Sequence, residues 1–179
     1  MTFPSEIVLH PLNELLTRQN FQLPGYHVVL EYDLPETTRA VLVHEENVYT
    51  KLKEYFDSTI SAHRLFQEVR EGVLLSEIVL KTDTSDLPVA YCAVEVFLYT
   101  VNPSVAVEVQ EVRAPLGEIL RDCGVDHRNT PMAYLCLQAT REMARAIGTT
   151  EGQQLFGRRN QIFSTDGTLI ANMVEVLRP

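Results

Sequence analysis

The stretch that most constrains this chain is its last one, QLFGRRNQIFSTDGTLIANMVEVLRP, from Gln154 to Pro179. Apolar and polar residues alternate on both sides of STDG, a tight-turn sequence. A period of two is the signature of a strand, so the spacing predicts an antiparallel hairpin with strands near 153–165 and 168–177. Final residues are usually polar and loosely held. Here they alternate like sheet, and in the last strand Leu169, Ala171, Met173, Glu175 and Leu177 share one face. A carboxylate in line with apolar neighbours must be paired, protonated or purposeful, because burying a bare charge is expensive.

The same period appears in the middle of the chain. GVLLSEIVLKTD and LPVAYCAVEVFLYTV are rich in β-branched and aromatic residues and are separated by TDTSD. They predict strands near 73–82 and 88–101 joined by a hairpin loop, with Asn102-Pro103 ending the second. Upstream, YHVVLEYDL fits a short strand, and Glu36–Val43 and Asn47–Phe56 have helical spacing. The latter gathers Val48, Leu52, Tyr55 and Phe56 on one face. APLGEILRDCG reads as a short helix with Pro115 in its first turn and Gly124 as its stop. TPMAYLCLQATREMARAIG reads as a long helix over 131–147, capped by Thr130, with Pro131 at its first position and Gly148 at its end. No internal repeat or linker divides the 179 residues, so a single domain over 1–179 is expected.

Composition narrows the function classes. The net charge is -9 and the only basic cluster is Arg158-Arg159, which argues against a nucleic-acid partner. No apolar run approaches the roughly 18 residues of a membrane span. The three cysteines, Cys92, Cys123 and Cys136, are too scattered for a disulfide framework or zinc site, and His44 and His63 lack metal-ligand spacing. The expectation is a cytoplasmic monomer or small homo-oligomer with no metal and no membrane association.

Two readings of Glu175 stay open on these grounds. It is either a structural ion pair with Arg158 or Arg159 across the hairpin, or a pocket carboxylate of raised pKa suited to acid or base chemistry. Arg158 and Arg159 point to opposite faces of a regular strand, so at most one enters a cavity on the Glu175 side.

APLGEIL, then LFGRRNQIF, a glycine turn and a strand ending in EVLRP together resemble the chorismate pyruvate-lyase family. HEENVYTKLKEYF resembles that family's early helix, and SEIVL and PVAYCAVEVFL its two central strands. The likeness runs from Ala40 to Pro179 and leaves residues 1–39 unmatched. It implies an α+β fold, an antiparallel sheet backed by helices and enclosing a small ligand pocket, acting without cofactor. Carried over residue by residue, Glu175 falls on the catalytic glutamate. Leu116 falls in the ligand-contacting turn, Tyr49 and Thr50 on the helix over the pocket, and Arg159 on the arginine-rich strand.

Two positions depart from the family pattern. Ser76 stands where an arginine grips the ligand carboxylate, and Cys92 where a small glycine faces the ligand. A serine hydroxyl supplies one hydrogen bond and no charge, and Cys92 makes the pocket narrower and less polar. No neighbouring base activates Cys92, so inert packing is favoured over a nucleophilic role.

The main expectation is therefore a biosynthetic enzyme handling a small organic molecule, aromatic or cyclic among the candidates, by elimination, isomerisation or cyclisation through Glu175. The alternatives are a true chorismate pyruvate-lyase and a non-catalytic ligand-binding module.

Overall fold

The C-terminal hairpin lies at the middle of the sheet rather than at its edge. The structure is a computed structural model that describes residues 8–179. Its helices are α1 (Leu12–Arg18), α2 (Glu36–Leu42), α3 (Val48–Phe56), α4 (Pro103–Glu111), α5 (Leu116–Asp122) and α6 (Arg141–Ile147). Its strands are β1 (Tyr26–Val29), β2 (Ile60–Arg70), β3 (Val73–Thr82), β4 (Pro88–Phe97), β5 (His127–Gln138), β6 (Gln154–Ser164) and β7 (Leu169–Leu177). Among the described residues these strands form one antiparallel sheet of order β1-β5-β6-β7-β4-β3-β2. The final strand thus has partners on both sides, and its side chains are buried almost throughout because helices cover both faces.

Helices cover both faces, and the alternation of each strand sorts side chains between two cores. One face packs Leu74, Ile78, Cys92, Val94, Met173 and Leu177 against α2, α3, α4 and α5. The other packs Leu75, Val79, Tyr91, Val174 and Val176 against α1 and α6. The expected α+β architecture, an antiparallel sheet backed by helices around a small cavity, is the one observed. Of the unmatched segment 1–39, residues 1–7 lie outside the described residues, and the remainder supplies α1 and β1.

The predicted long helix over 131–147 is not one element. Residues 127–138 form β5, and only Arg141–Ile147 is helical. Leu135, Leu137 and Ala139 pack into one core and Tyr134 into the other, and β5 pairs along its length with β6. The local pattern admits both periods, and this long-range pairing decides between them. Thr130 therefore caps nothing. Thr140 takes that role, its hydroxyl accepting from the Met143 amide at 3.3 Å. Pro131, which lacks an N–H, sits at a register shift in the ladder.

Three smaller differences bear on the site. β2 pairs with β3 through a turn in which Glu71 and Gly72 both have positive φ, 50° and 77°. That is the type I′ geometry of a two-residue hairpin. β4 ends at Phe97 rather than 101, and Asn102-Pro103 opens α4, with Pro103 in its first turn. In α3, Val48, Tyr49 and Leu52 are buried while Tyr55 is exposed.

Candidate functional site

Register places a row of side chains on the helix-rich face: Ile78, Cys92, Glu175, Arg158 and Tyr134 on β3, β4, β7, β6 and β5. A second row, one pleat away, is Ser76, Val94, Met173 and Asn160. The first turn of α3 and the head of α5 lie over these rows. They enclose a cavity of ≈ 20 Å³, room for about one water. Asn47, Tyr49, Cys92, Leu116, Met173 and Glu175 are among the residues that line it.

Glu175 is buried and Oε2 accepts from Arg158 Nε at 2.7 Å, so the ion-pair reading of this carboxylate is the one observed. Arg158 is wholly inaccessible. Its Nη1 also donates to the carbonyls of Leu42 (3.1 Å) and His44 (2.9 Å), and its Nη2 to that of Glu46 (3.0 Å). One guanidinium therefore ties β7 to the loop between α2 and α3, and that loop leads straight into the cavity roof. A buried arginine so surrounded is stable because its donors meet either a carboxylate or a carbonyl.

His44, within that loop, accepts the Glu46 amide at Nδ1 (3.0 Å) and donates from Nε2 to the Val41 carbonyl (2.5 Å). This is the neutral imidazole with its proton on Nε2. Burial, and then the Arg158 charge, push its pKa below the ordinary value.

A chain of amides runs beside the ion pair. Asn160 Nδ2 donates to Asn129 Oδ1 (2.9 Å), and Asn129 Nδ2 donates to Asn47 Oδ1 (3.0 Å). Asn160 Oδ1 is buried with no hydrogen-bond partner. The Asn47 side chain packs directly on Gly117, where a Cβ would overlap its amide. Glycine at 117 is what lets the roof close.

The structure brings most of the expected residues together. Glu175, Cys92, Leu116 and Tyr49 all line the cavity. The Cys92 thiol is pushed well above its ordinary pKa by burial and then by the Glu175 charge, which disfavours the thiolate. Tyr49 accepts from Arg121 Nη1 at 2.6 Å, and burial raises its phenol pKa.

Ser76, Thr50 and Arg159 are not part of the cavity wall. Ser76 borders an adjoining void of ≈ 10 Å³ and spends its hydroxyl on the Phe66 carbonyl at 3.2 Å. Thr50 is half-buried on α3, turned off the lining by the helical period. Arg159 lies on the opposite sheet face with Nε 3.4 Å from the His10 carbonyl, because neighbours on a strand alternate. Arg158, its neighbour, is the inward arginine.

Sequence reasoning missed Asn47, Asn129, Asn160 and Gly117. Asn47 precedes a helix and would be read as its N-cap, yet it makes no side-chain cap bond. Its preference for Gly117 and Asn129 is a long-range contact that no local spacing announces.

Among the described residues no group of three His, Cys, Asp or Glu side chains could hold a metal ion, and no helix is long and apolar enough to cross a membrane. A wider groove of ≈ 660 Å³ runs along the outer edge of the sheet between Val28, Leu30, Tyr32 and Met132, apart from the buried dyad.

No family model and no curated protein matches the sequence. Solved structures do match. PhnF from Mycobacterium smegmatis is 16% identical, with a TM-score of 0.59 over 74% of this chain and 64% of that one. The effector domain of the same protein gives a TM-score of 0.55 at 16% identity, over 73% of this chain and 87% of that one. The ligand-binding domain of a candidate GntR-family transcriptional regulator from Bordetella bronchiseptica gives 0.52 at 15% identity, over 66% and 85%. The chain thus spans less than two thirds of the PhnF chain it matches.

At these identities the likeness establishes a shared fold, the chorismate lyase-like one. It also corrects the expected function. The similar structures are effector and ligand-binding domains of regulators rather than lyases. The expectation of a biosynthetic elimination, isomerisation or cyclisation enzyme is withdrawn on that finding, and with it the chorismate pyruvate-lyase alternative.

Proposed function

We propose that this chain is a non-catalytic small-ligand-binding module, with its ligand site in the cavity between the sheet and the heads of α3 and α5. The observation that carries the reading is the fourfold commitment of Arg158, to Glu175 and to three carbonyls of the 42–46 loop. It commits the one carboxylate that lines the cavity among the described residues to an ion pair. It also links the cavity floor to a loop that can report what the floor contacts.

The resemblance to effector domains of regulators supports the same reading. By that analogy the chain senses a small molecule inside the cell, and contact with DNA is made by a separate element. The acidic surface of this chain is unsuited to phosphate backbones.

Binding at this site requires the roof to open, because one water fills it. A ligand that binds only the folded state stabilises it by about 2.7 kcal/mol at a hundredfold excess over Kd. For a chain of this size that raises Tm on the order of 5–10 °C. A thermal-shift screen of small metabolites should find such a ligand. Failure of every compound to raise Tm, with no shift of the Met173 methyl resonance, would remove the reading.

A further inference from the structure

The dyad presents only one of its ends to the cavity. Glu175 is among the lining residues, whereas Arg158 is not and has no accessible surface. Among the described residues Glu175 Oε2 accepts from Arg158 at 2.7 Å, while the carboxylate itself lines the cavity. An incoming group therefore meets a carboxylate oxygen with the guanidinium hidden behind it.

The other polar groups in reach reinforce this asymmetry. The Cys92 thiol is a weak donor, and the Tyr49 hydroxyl is engaged by Arg121 at 2.6 Å. The Asn47 amide is uncharged, and its side chain covers Gly117 at the head of α5. A carboxylate or phosphate entering this cavity would lose its water and face a like charge, and among the described residues no cation lines the cavity.

We infer that the cavity takes a ligand group that donates hydrogen bonds and carries no negative charge, an ammonium, amidinium or amide, docked on Glu175. The inference rests on the ligand-binding reading above and adds the chemistry of the ligand to it. Such a group would compete with Arg158 for the carboxylate. A ligand that draws Glu175 away also loosens the guanidinium that holds the Leu42, His44 and Glu46 carbonyls, so occupancy is passed to the roof loop.

The test uses three isosteric probes, acetamidinium, acetamide and acetate, titrated separately into the full chain at constant ionic strength. The methyl resonances of Met173 and Ile78 report binding. The expected result is saturable shifts with acetamidinium binding at least about tenfold more tightly than acetate, the scale of one charge-assisted hydrogen bond. Acetate binding as tightly as acetamidinium, or more so, overturns the inference while leaving the cavity a ligand site. Silence from all three overturns both.

Glu175→Gln should bring acetamidinium down to the level of acetamide. The paired change Arg158→Met with Glu175→Leu keeps a filled core without charge and serves if the single variant does not fold. A preference for acetamidinium that survives the paired change also overturns the inference.

Discussion

Arg158 and Glu175 face each other across β6 and β7, with 2.7 Å between Nε and Oε2 and side-chain exposures of 0% and 6%. The pair is a closed unit whose cost is severe if only one member is removed. Breaking a buried pair strands the survivor and destabilises by about 3–5 kcal/mol, whereas replacing both with apolar residues is close to neutral. Glu175→Gln should fall toward that loss in chemical denaturation. Arg158→Met with Glu175→Leu should recover most of it. Equal losses from the single and double variants would show that the pair is not coupled.

The two close-packed glycines should respond differently. A Cβ on Gly157 would stand 2.5 Å from the Glu175 carbonyl, which is backbone in the centre of the sheet and cannot yield. A Cβ on Gly117 would meet only the end of the Asn47 side chain, which can swing out. Gly157→Ala should therefore cost about 1–3 kcal/mol, the range of an overpacked core. Gly117→Ala should cost less, since alanine also favours the helix. It should nonetheless break the Asn47–Asn129 bond and shift the Asn47 amide resonances. Denaturation midpoints for the two variants decide the order.

His44 gives a pH signature. Burial and Arg158 lower its folded pKa below 6.5. Between the two values the unfolded chain holds more protons, so stability falls as pH drops below about 6.5 and is constant above about 7. The loss continues until pH passes the folded value. Protonation would also remove the acceptor for the Glu46 amide and place a cation beside Arg158. Glu95 is distinct: His10 and Asn172 hydrogen bonds hold its pKa below the usual carboxylate value against burial, so its contribution is lost only on further acidification, below about 4.5. In urea denaturation followed against pH, His44→Gln should flatten the limb that begins below about 6.5 and leave the more acidic one. An unchanged limb would assign it elsewhere.

Chorismate should not be turned over. Glu175 is committed to Arg158 and Ser76 to the Phe66 carbonyl, and neither supplies the charge that a dianion needs on leaving water. A coupled pyruvate assay with purified protein should stay at the blank rate.

Much of the fold was legible because the strands at 73–82 and 169–177 are short runs rich in Val, Leu and Ile that end at turn residues. β2 was not, because it is an edge strand whose charged residues, Arg64, Glu68 and Arg70, protect an open edge and blur the pattern. The segment 131–138 was misread because its apolar spacing serves a helix or a strand, and only pairing with β6 settles it. In the site, period two put Glu175 and Met173 on one face and separated Arg158 from Arg159, while Cys92 was placed by the family resemblance alone. Nothing local indicated that Arg158 would collect the Leu42, His44 and Glu46 carbonyls more than 110 residues away.

The central claim is that a small molecule binds between the sheet and the heads of α3 and α5. The most direct measurement is a methyl NMR titration of the full chain with whichever compound gives the largest thermal shift. Saturable changes at Met173, Ile78 and Leu80, on the cavity wall, are the predicted result. Changes confined to Met132 and Val28 would place binding in the groove at the sheet edge and contradict the account.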